Sequence, residues 1–384
     1  LSEQMMQELG FNPCVTGDTW VMTTDGPRQV TELIDTPFTA VVDGKPYECK
    51  TGFWQTGENP TMTLTTAGGY KVRATGNHKF MVVASRTQHA LRQEWRRLDE
   101  IKPGDEVMLH NHRGGAWDGE GTSDEGWLLG SLFGDGTFAG ATAYLDYWGD
   151  TRYEMRDLAL DTLRRTVPCR SDMAGCDGTP TEGGVEKVRI GSAGLRRLAA
   201  AYGMISDAGT KKAPDIERCG SSFWCGYLRG WFDADGSVQG TQNKGVSVRL
   251  HSKSLDALRT AQRALARMGI VSSVYENRRP EGDYMLPDGH GGTALYHCQA
   301  QHDLVVANDN IGEFARRVGF SEREKAEALD EALSSYKRAP NRERFFTKVV
   351  AVESAATESV YDCTVLEAHR FDANGLVAHN CVEI

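Results

Sequence analysis

Val377-Ala378-His379-Asn380-Cys381 closes a strand-like run, and its last three residues suit bond breaking better than strand packing. The Asn380 carboxamide can cyclise onto its own backbone carbonyl and cut the chain after itself. His379 can move the protons, and the Cys381 thiol can hold an acyl group. An acceptor thiol needs a donor far upstream, and Cys14, which follows Pro13, can be that donor. A Cys14 thiolate can attack the Pro13 carbonyl and turn the peptide into a thioester. That step is uphill, so the amide must be strained and its oxygen stabilised.

The segments next to both junctions read as β-structure. From Val15 onward, short apolar runs alternate with turn signals at Asp25-Gly26-Pro27 and Asp43-Gly44. Strands are expected over 61–65, 70–73, 80–83 and 98–109, the last with Lys102-Pro-Gly-Asp105 as a turn. The pattern returns over 348–352 and 359–365, then at Arg370-Phe371, Asn374-Gly375 and Leu376-Val377. Thr75-Gly-Asn-His78 lies between two such strands. There His78 could protonate the departing Cys14 nitrogen, and Thr75 could position the site.

Cys14-Val-Thr-Gly-Asp-Thr, Thr75-Gly-Asn-His78, and Val360-Tyr-Asp362 through His379-Asn380-Cys381 resemble the splicing blocks of inteins, in order and at both ends. The resemblance covers about 14–109 and 347–380. It implies an all-β horseshoe (HINT) fold and autocatalytic protein splicing. Cys14 would form a thioester, Cys381 would take the acyl group, Asn380 would cyclise, and the flanks would be ligated. The same resemblance gives His379 and His369 roles in asparagine cyclisation. Asp362 would couple the steps as a general acid near Cys14. A hedgehog-type autoprocessing domain shares the fold but needs neither Asn380 nor Cys381.

Helical periodicity occupies the middle of the chain. Leu128-Leu-Gly-Ser-Leu-Phe-Gly-Asp-Gly136 and Leu228-Arg-Gly-Trp-Phe-Asp-Ala-Asp-Gly236 are two copies of one design, with Thr122 or Ser123 capping the first. Gly130 and Gly134, and Gly230 and Ala234, give each helix a smooth face for close backbone approach. Each helix then ends in a carboxylate, which faces the negative end of the helix dipole. That arrangement makes sense if cations sit between Asp135 and Asp235, so Mg²⁺ binding and phosphodiester hydrolysis are expected there. These segments resemble the paired motifs of LAGLIDADG homing endonucleases, although Phe133 and Gly134 depart from the usual pattern. Two αββαββα-like halves forming a saddle on double-stranded DNA are implied. Lys212-Ala-Pro214 resembles the block between the motifs, which makes Lys212 the charge stabiliser, with Lys253 a second choice. The alternatives are a DNA-binding module, or an insert that binds DNA without cutting it.

The expected organisation is a flanking host segment 1–13, splicing residues 14–115, an endonuclease insert 116–345, splicing residues 346–380, and a host segment 381–384. Residues 1–13 read as a short helix ending at Gly10. Joined, the flanks read Asn-Pro-Cys-Val-Glu-Ile, which resembles an active-site segment of the ribonucleotide reductase large subunit. Net charge is −10, which argues against generic polyanion binding, but local basic runs (Arg259 to Arg267, Arg278-Arg279, Lys337 to Lys348) could contact phosphates. The nine cysteines are scattered. Neither Cys169 and Cys176 nor Cys219 and Cys225 has zinc-knuckle spacing, so reduced thiols are expected. No apolar run could span a bilayer and Leu1 to Pro13 lacks a leader pattern, so a cytoplasmic monomer with no membrane partner is expected.

Overall fold

The computed structural model describes residues 13–167, 179–180, 187–241, 245–287, 292–335 and 340–380. The expectations for the Leu1 to Gly10 helix, Cys169, Cys176, Lys337, Arg338 and Cys381 lie outside the described residues. The chain divides into two compact units. The first comprises 1–119, 262–273 and 343–384, and the second comprises 120–261 and 274–342. The insert is therefore not one uninterrupted block, because 262–273 belongs with the β unit.

The first unit is all-β apart from that segment. Its nine-stranded sheet runs Val15–Thr16, Lys71–Thr75, Phe53–Thr66, Phe346–Cys363, Glu106–Met108, Lys79–Arg86, Leu376–His379, Arg370–Ala373, with Leu91–Arg97 beside Lys79–Arg86. A four-stranded sheet holds Gly26–Gln29, Trp20–Thr23, Phe38–Val42 and Lys45–Cys49. The Phe346–Cys363 strand, from the end of the chain, is thus sandwiched between two strands from its beginning. Buried Phe53, Leu64, Phe80, Leu98 and Phe371 fill one continuous core.

The two predicted hairpin turns form for a local reason. Asp43 and Gly44 have φ of 49° and 76°, and Asn374 and Gly375 have 55° and 92°. Two consecutive left-handed residues make the turn whose twist matches antiparallel strands, and Asn-Gly and Asp-Gly tolerate it best. The second turn joins Arg370–Ala373 to Leu376–His379 and so delivers Asn380. The expected 98–109 strand is instead a 3₁₀ turn at Leu98–Glu100 followed by Glu106–Met108. The Lys102 to Asp105 turn is present, with Asp105 N–H donating to the Lys102 carbonyl at 3.0 Å.

The second unit repeats one layout. Helix Ser123–Asp135 leads into strands Thr137–Ala139, Thr142–Trp148 and Lys187–Ser192, with helices Arg152–Thr166 and Ala193–Ala201. Helix Ser221–Asp235 leads into Gly236–Thr241, Gly245–Ser252 and Gln301–Ala307, followed by helices Asn310–Arg317 and Arg323–Ser334. Each half carries a four-stranded sheet, and the second half adds a separate hairpin, Gly282–Pro287 with Thr293–Cys298. The first helix starts at a reciprocal cap: Glu125 N–H donates to Thr122 Oγ1 at 3.2 Å and Thr122 N–H to Glu125 Oε2 at 2.7 Å. The paired helices touch backbone to backbone. A Cβ at Gly130 would overlap the Tyr227 carbonyl oxygen, and one at Gly230 the Trp127 carbonyl oxygen. No described helix is long and apolar enough to cross a membrane.

Candidate active sites

The first site lies where the two ends of the β unit meet. Val15 pairs with Tyr361 and Thr16 with Val360, so continuing the register by one residue sets Cys14 opposite Asp362. Val15 also pairs with Ala74, which brings the Thr75 turn against Cys14. Cys14 N–H donates to Thr75 Oγ1 at 3.0 Å, and Thr75 N–H donates to the Cys14 carbonyl at 2.9 Å. The nitrogen of the Pro13–Cys14 bond is therefore held by Thr75.

Cys14 is fully buried. Burial and the Asp362 carboxylate push its thiol up to about 12, against a lowering hydrogen bond from Thr56. Cys14 Sγ lies 2.8 Å from Thr56 Oγ1. The resting thiol is thus protonated. Asp362 is buried and accepts a hydrogen bond from Cys363 N–H at 2.8 Å.

His78 is also fully buried, packed on the rings of Phe80 and Phe371 at 5.1 and 6.3 Å. Burial pushes its imidazole down to about 3, the Pro13 backbone acts in the opposite direction, and His379 lowers it further. Neutral His78 lies beside Pro13, and neither of its buried ring nitrogens has a hydrogen-bond partner.

The downstream junction sits on the same sheet. Asn380 is buried and its N–H donates to the His369 carbonyl at 3.4 Å. His369 is exposed, with a left-handed φ of 50°. His379 packs edge-on against Trp95 at 4.7 Å, and burial, Lys79 and His369 lower its pKa.

A charged network anchors the hairpin that carries Asn380. His110 Nδ1 donates to Asp43 Oδ1 at 3.1 Å and Nε2 to the Phe371 carbonyl at 3.1 Å. With both nitrogens donating, His110 is an imidazolium. His112 Nε2 donates to Asp372 Oδ2 at 2.8 Å, and Asp372 Oδ1 accepts from Gly375 N–H. Burial raises the Asp372 carboxyl, but His112 and His110 outweigh it and hold it below the usual range. Sequence reading did not reveal this network, because its members come from three separate segments.

The second site is the end of the paired helices. A Cβ at Gly134 would fall against the Asp235 carboxylate at 3.4 Å, so the two helix ends converge. Burial and neighbouring Asp135 push the Asp235 carboxyl up to about 6, against Trp231, Lys211 and Lys325. Packing around the helix end also raises Asp135, and Lys325 and Lys211 oppose it. Trp231 Nε1 donates to Asp235 Oδ2 at 3.0 Å.

Two lysines serve the helix ends symmetrically. Lys211 Nζ donates to the carbonyls of Leu132, Gly134 and Gly136 at 3.2, 2.9 and 2.8 Å. Lys325 Nζ donates to those of Phe232, Asp233 and Ala234 at 3.3, 2.6 and 3.1 Å. The expected lysine, Lys212, is exposed, and its backbone N–H donates to the Met204 carbonyl. Lys211 is the one beside the carboxylates. Lys253 lies close enough to Lys211 to help lower its pKa, after burial. Of the expected basic runs, Arg263 and Arg267 lie over the Trp20 ring at 5.9 and 5.8 Å. Arg278 is exposed.

A family model described as the intein splicing domain matches residues 22–380. The alpha subunit of ribonucleoside-diphosphate reductase NrdEB from Bacillus subtilis is 27% identical over 97% of this chain and 36% of its own length. The replicative DNA helicase DnaB of Rhodothermus marinus is 23% identical over 98% of this chain and 47% of its own. The chain thus spans about a third to a half of the length of these relatives. Among solved structures, mesophilic variants of the homing endonuclease I-DmoI align at 14% identity over 51% of this chain and 95% of theirs, with a TM-score of 0.32, too low to carry an argument. The chain belongs to the intein splicing-domain family, and protein splicing is the class of activity that this membership gives it.

Proposed function

We propose that residues 14–115 and 346–380 splice the chain out of a host protein through Cys14, Cys381 and Asn380. In the first step Cys14 Sγ bonds to the Pro13 carbonyl carbon, the C–N bond breaks, and the thiol proton ends on the freed Cys14 nitrogen. Thr75 holds that nitrogen, and neutral His78 offers an N–H to the Pro13 carbonyl as negative charge develops there. The Cys381 thiol then displaces Cys14 from the acyl carbon. The Asp362 carboxylate, opposite Cys14, takes the proton of the Cys381 thiol and passes it to the leaving Cys14 sulfur. Asn380 Nδ2 finally attacks its own carbonyl, closing a ring and releasing Cys381, and His379 and His369 move the protons. An S-to-N shift leaves an ordinary peptide bond between the flanks, which resemble a ribonucleotide reductase.

The observation that carries this reading is the register Val15–Tyr361. It joins the strand after the upstream junction to the strand that holds Asp362. The test is expression with both flanks intact, which should yield ligated flanks and a free excised protein. Ligation that survives Cys14→Ala would refute it.

We further propose that the insert, 116–345 apart from the returning 262–273, cuts double-stranded DNA at the uninterrupted host gene. Asp135 and Asp235 would hold Mg²⁺. An all-oxygen pair whose pKa values are both raised by burial, with Asp135 raising Asp235 further, fits a hard cation. When bound, the ion would polarise the scissile phosphate and the attacking water. Lys211 and Lys325 each cap one helix end by donating to its carbonyls and offset the charge of the two carboxylates beside them. Incubation with the host gene and Mg²⁺ should give one double-strand cut, abolished by a chelator. A bound but uncut duplex across salt and metal conditions would leave DNA binding alone.

A further inference from the structure

The long antiparallel pair beside Cys14 contains a fault in its register. Val360 pairs with Gly57 and Tyr361 with Gln55, so Thr56 is an extra residue with no partner across the ladder. Such a bulge re-aims its side chain and is common next to active sites. Here the half-buried Thr56 hydroxyl lies 2.8 Å from Cys14 Sγ and donates to the Val360 carbonyl at 3.2 Å. A hydroxyl has one proton, so while it donates to Val360 it accepts from the Cys14 S–H.

We propose that Thr56 is a thiol-positioning residue that the bulge turns onto Cys14, and that its hydroxyl swings from the Val360 carbonyl to the sulfur as the thiol ionises. The swing makes a charge-assisted hydrogen bond that exists only in the activated form, which is the differential binding that accelerates a step. The proton leaves Sγ for the scissile nitrogen, as in the splicing reading, and Thr56 keeps its own. Asp362 works against the thiolate from the opposite strand, so a compensating donor has a clear purpose. The inference rests on the splicing reading but concerns a residue outside the splicing blocks.

The test uses the full chain with both flanks, carrying Asn380→Ala and Cys381→Ala so that only the first step remains. Added dithiothreitol releases the upstream flank, and the release rate is followed from pH 6 to 10. Thr56→Val should slow release about ten-fold or more near neutrality, the size of one hydrogen bond to a charged group, and move the profile to higher pH. Thr56→Ser should restore both within about two-fold. Thr56→Val with the parent rate and profile would overturn the proposal. Equal loss in Thr56→Ser would also overturn it, because packing by the methyl group would then explain the effect. If Thr56→Val misfolds, Thr56→Ala against Thr56→Ser gives the same comparison. Release that persists in Cys14→Ala would sink the splicing reading itself, and this inference with it.

Discussion

A histidine that had to be charged to act would be nearly useless at His78. Burial sets its imidazole at about 3. At pH 7 the charged form is then about 10⁻⁴ of the total, a cost of about 5 kcal/mol at 1.36 kcal/mol per pH unit. General acid catalysis contributes about 10²- to 10⁴-fold, so that cost cancels the benefit, whereas a neutral N–H donor bears none of it. The assay is ¹⁵N-imidazole NMR on the precursor blocked with Asn380→Ala and Cys381→Ala, alongside thiol-induced release of the upstream flank. The His78 nitrogens should stay in the neutral pattern from pH 8 to 5. His78→Gln, which keeps an N–H, should retain more activity than His78→Leu. A His78 signal that titrates near its ordinary 6.5 would refute the reasoning. The same shift has a stability consequence. The folded pKa lies below the unfolded one, so the unfolded chain takes up the proton first. Stability is therefore lost as pH falls from 6.5 towards 3, by about 2 kcal/mol at pH 5, and His78→Gln should remove that share of the slope.

Two glycines provide a test of opposite signs. Gly130→Ala drives a Cβ into the Tyr227 carbonyl, whereas Gly312→Ala, at an exposed position in the first turn of Asn310–Arg317, meets nothing within 4 Å. Urea unfolding should show the first destabilised by about 2 kcal/mol or more and the second stabilised by up to about 1 kcal/mol. At the helix ends, Lys211→Met should cut DNA cleavage by 10²-fold or more, roughly the effect of losing one preorganised donor, while Lys212→Met should leave it within about three-fold. Single-turnover cleavage of the host-gene duplex decides between them, and equal losses would restore Lys212 as the functional lysine.

Features set by local chemistry were legible in the sequence. Asp43-Gly44 and Asn374-Gly375 form the turns their φ values demand, and the small-residue faces of the paired helices meet as their four-residue spacing implies. The long strands were only partly visible. Phe53–Thr66 and Phe346–Cys363 carry polar residues on both faces over much of their length and are interrupted by bulges, so alternation marked only fragments of them. Lys211 and Lys212 are neighbours with the same propensities, and only the fold decides which side chain reaches the helix end. Lys325 lies in Arg-Glu-Lys-Ala-Glu-Ala, which reads as an ordinary solvated helix face. Thr56 is hidden for a related reason. A bulge arises from a mismatch between two strands some three hundred positions apart, and neither strand shows it alone.

The register also explains why a large insert is compatible with splicing. Met108 pairs with Phe346, Val107 with Thr347 and Glu106 with Lys348, and Leu109 N–H donates to the Phe345 carbonyl at 2.7 Å. The chain leaves and re-enters the β unit at directly opposed positions, as at the tip of a hairpin. The cost of an intervening loop grows only slowly with its length once its ends are pinned, so the strands that carry Asp362 and His379 keep their partners. The independence has one exception. Residues 262–273 fold with the β unit, where Gln262 Nε2 donates to the Gly68 carbonyl at 2.7 Å. Gly68 lies in the turn between Phe53–Thr66 and Lys71–Thr75, and Lys71–Thr75 ends in the threonine that holds the Cys14 nitrogen. An insertion tolerated at a hairpin tip has thus become part of the support of the strand whose last residue, Thr75, accepts from the Cys14 N–H.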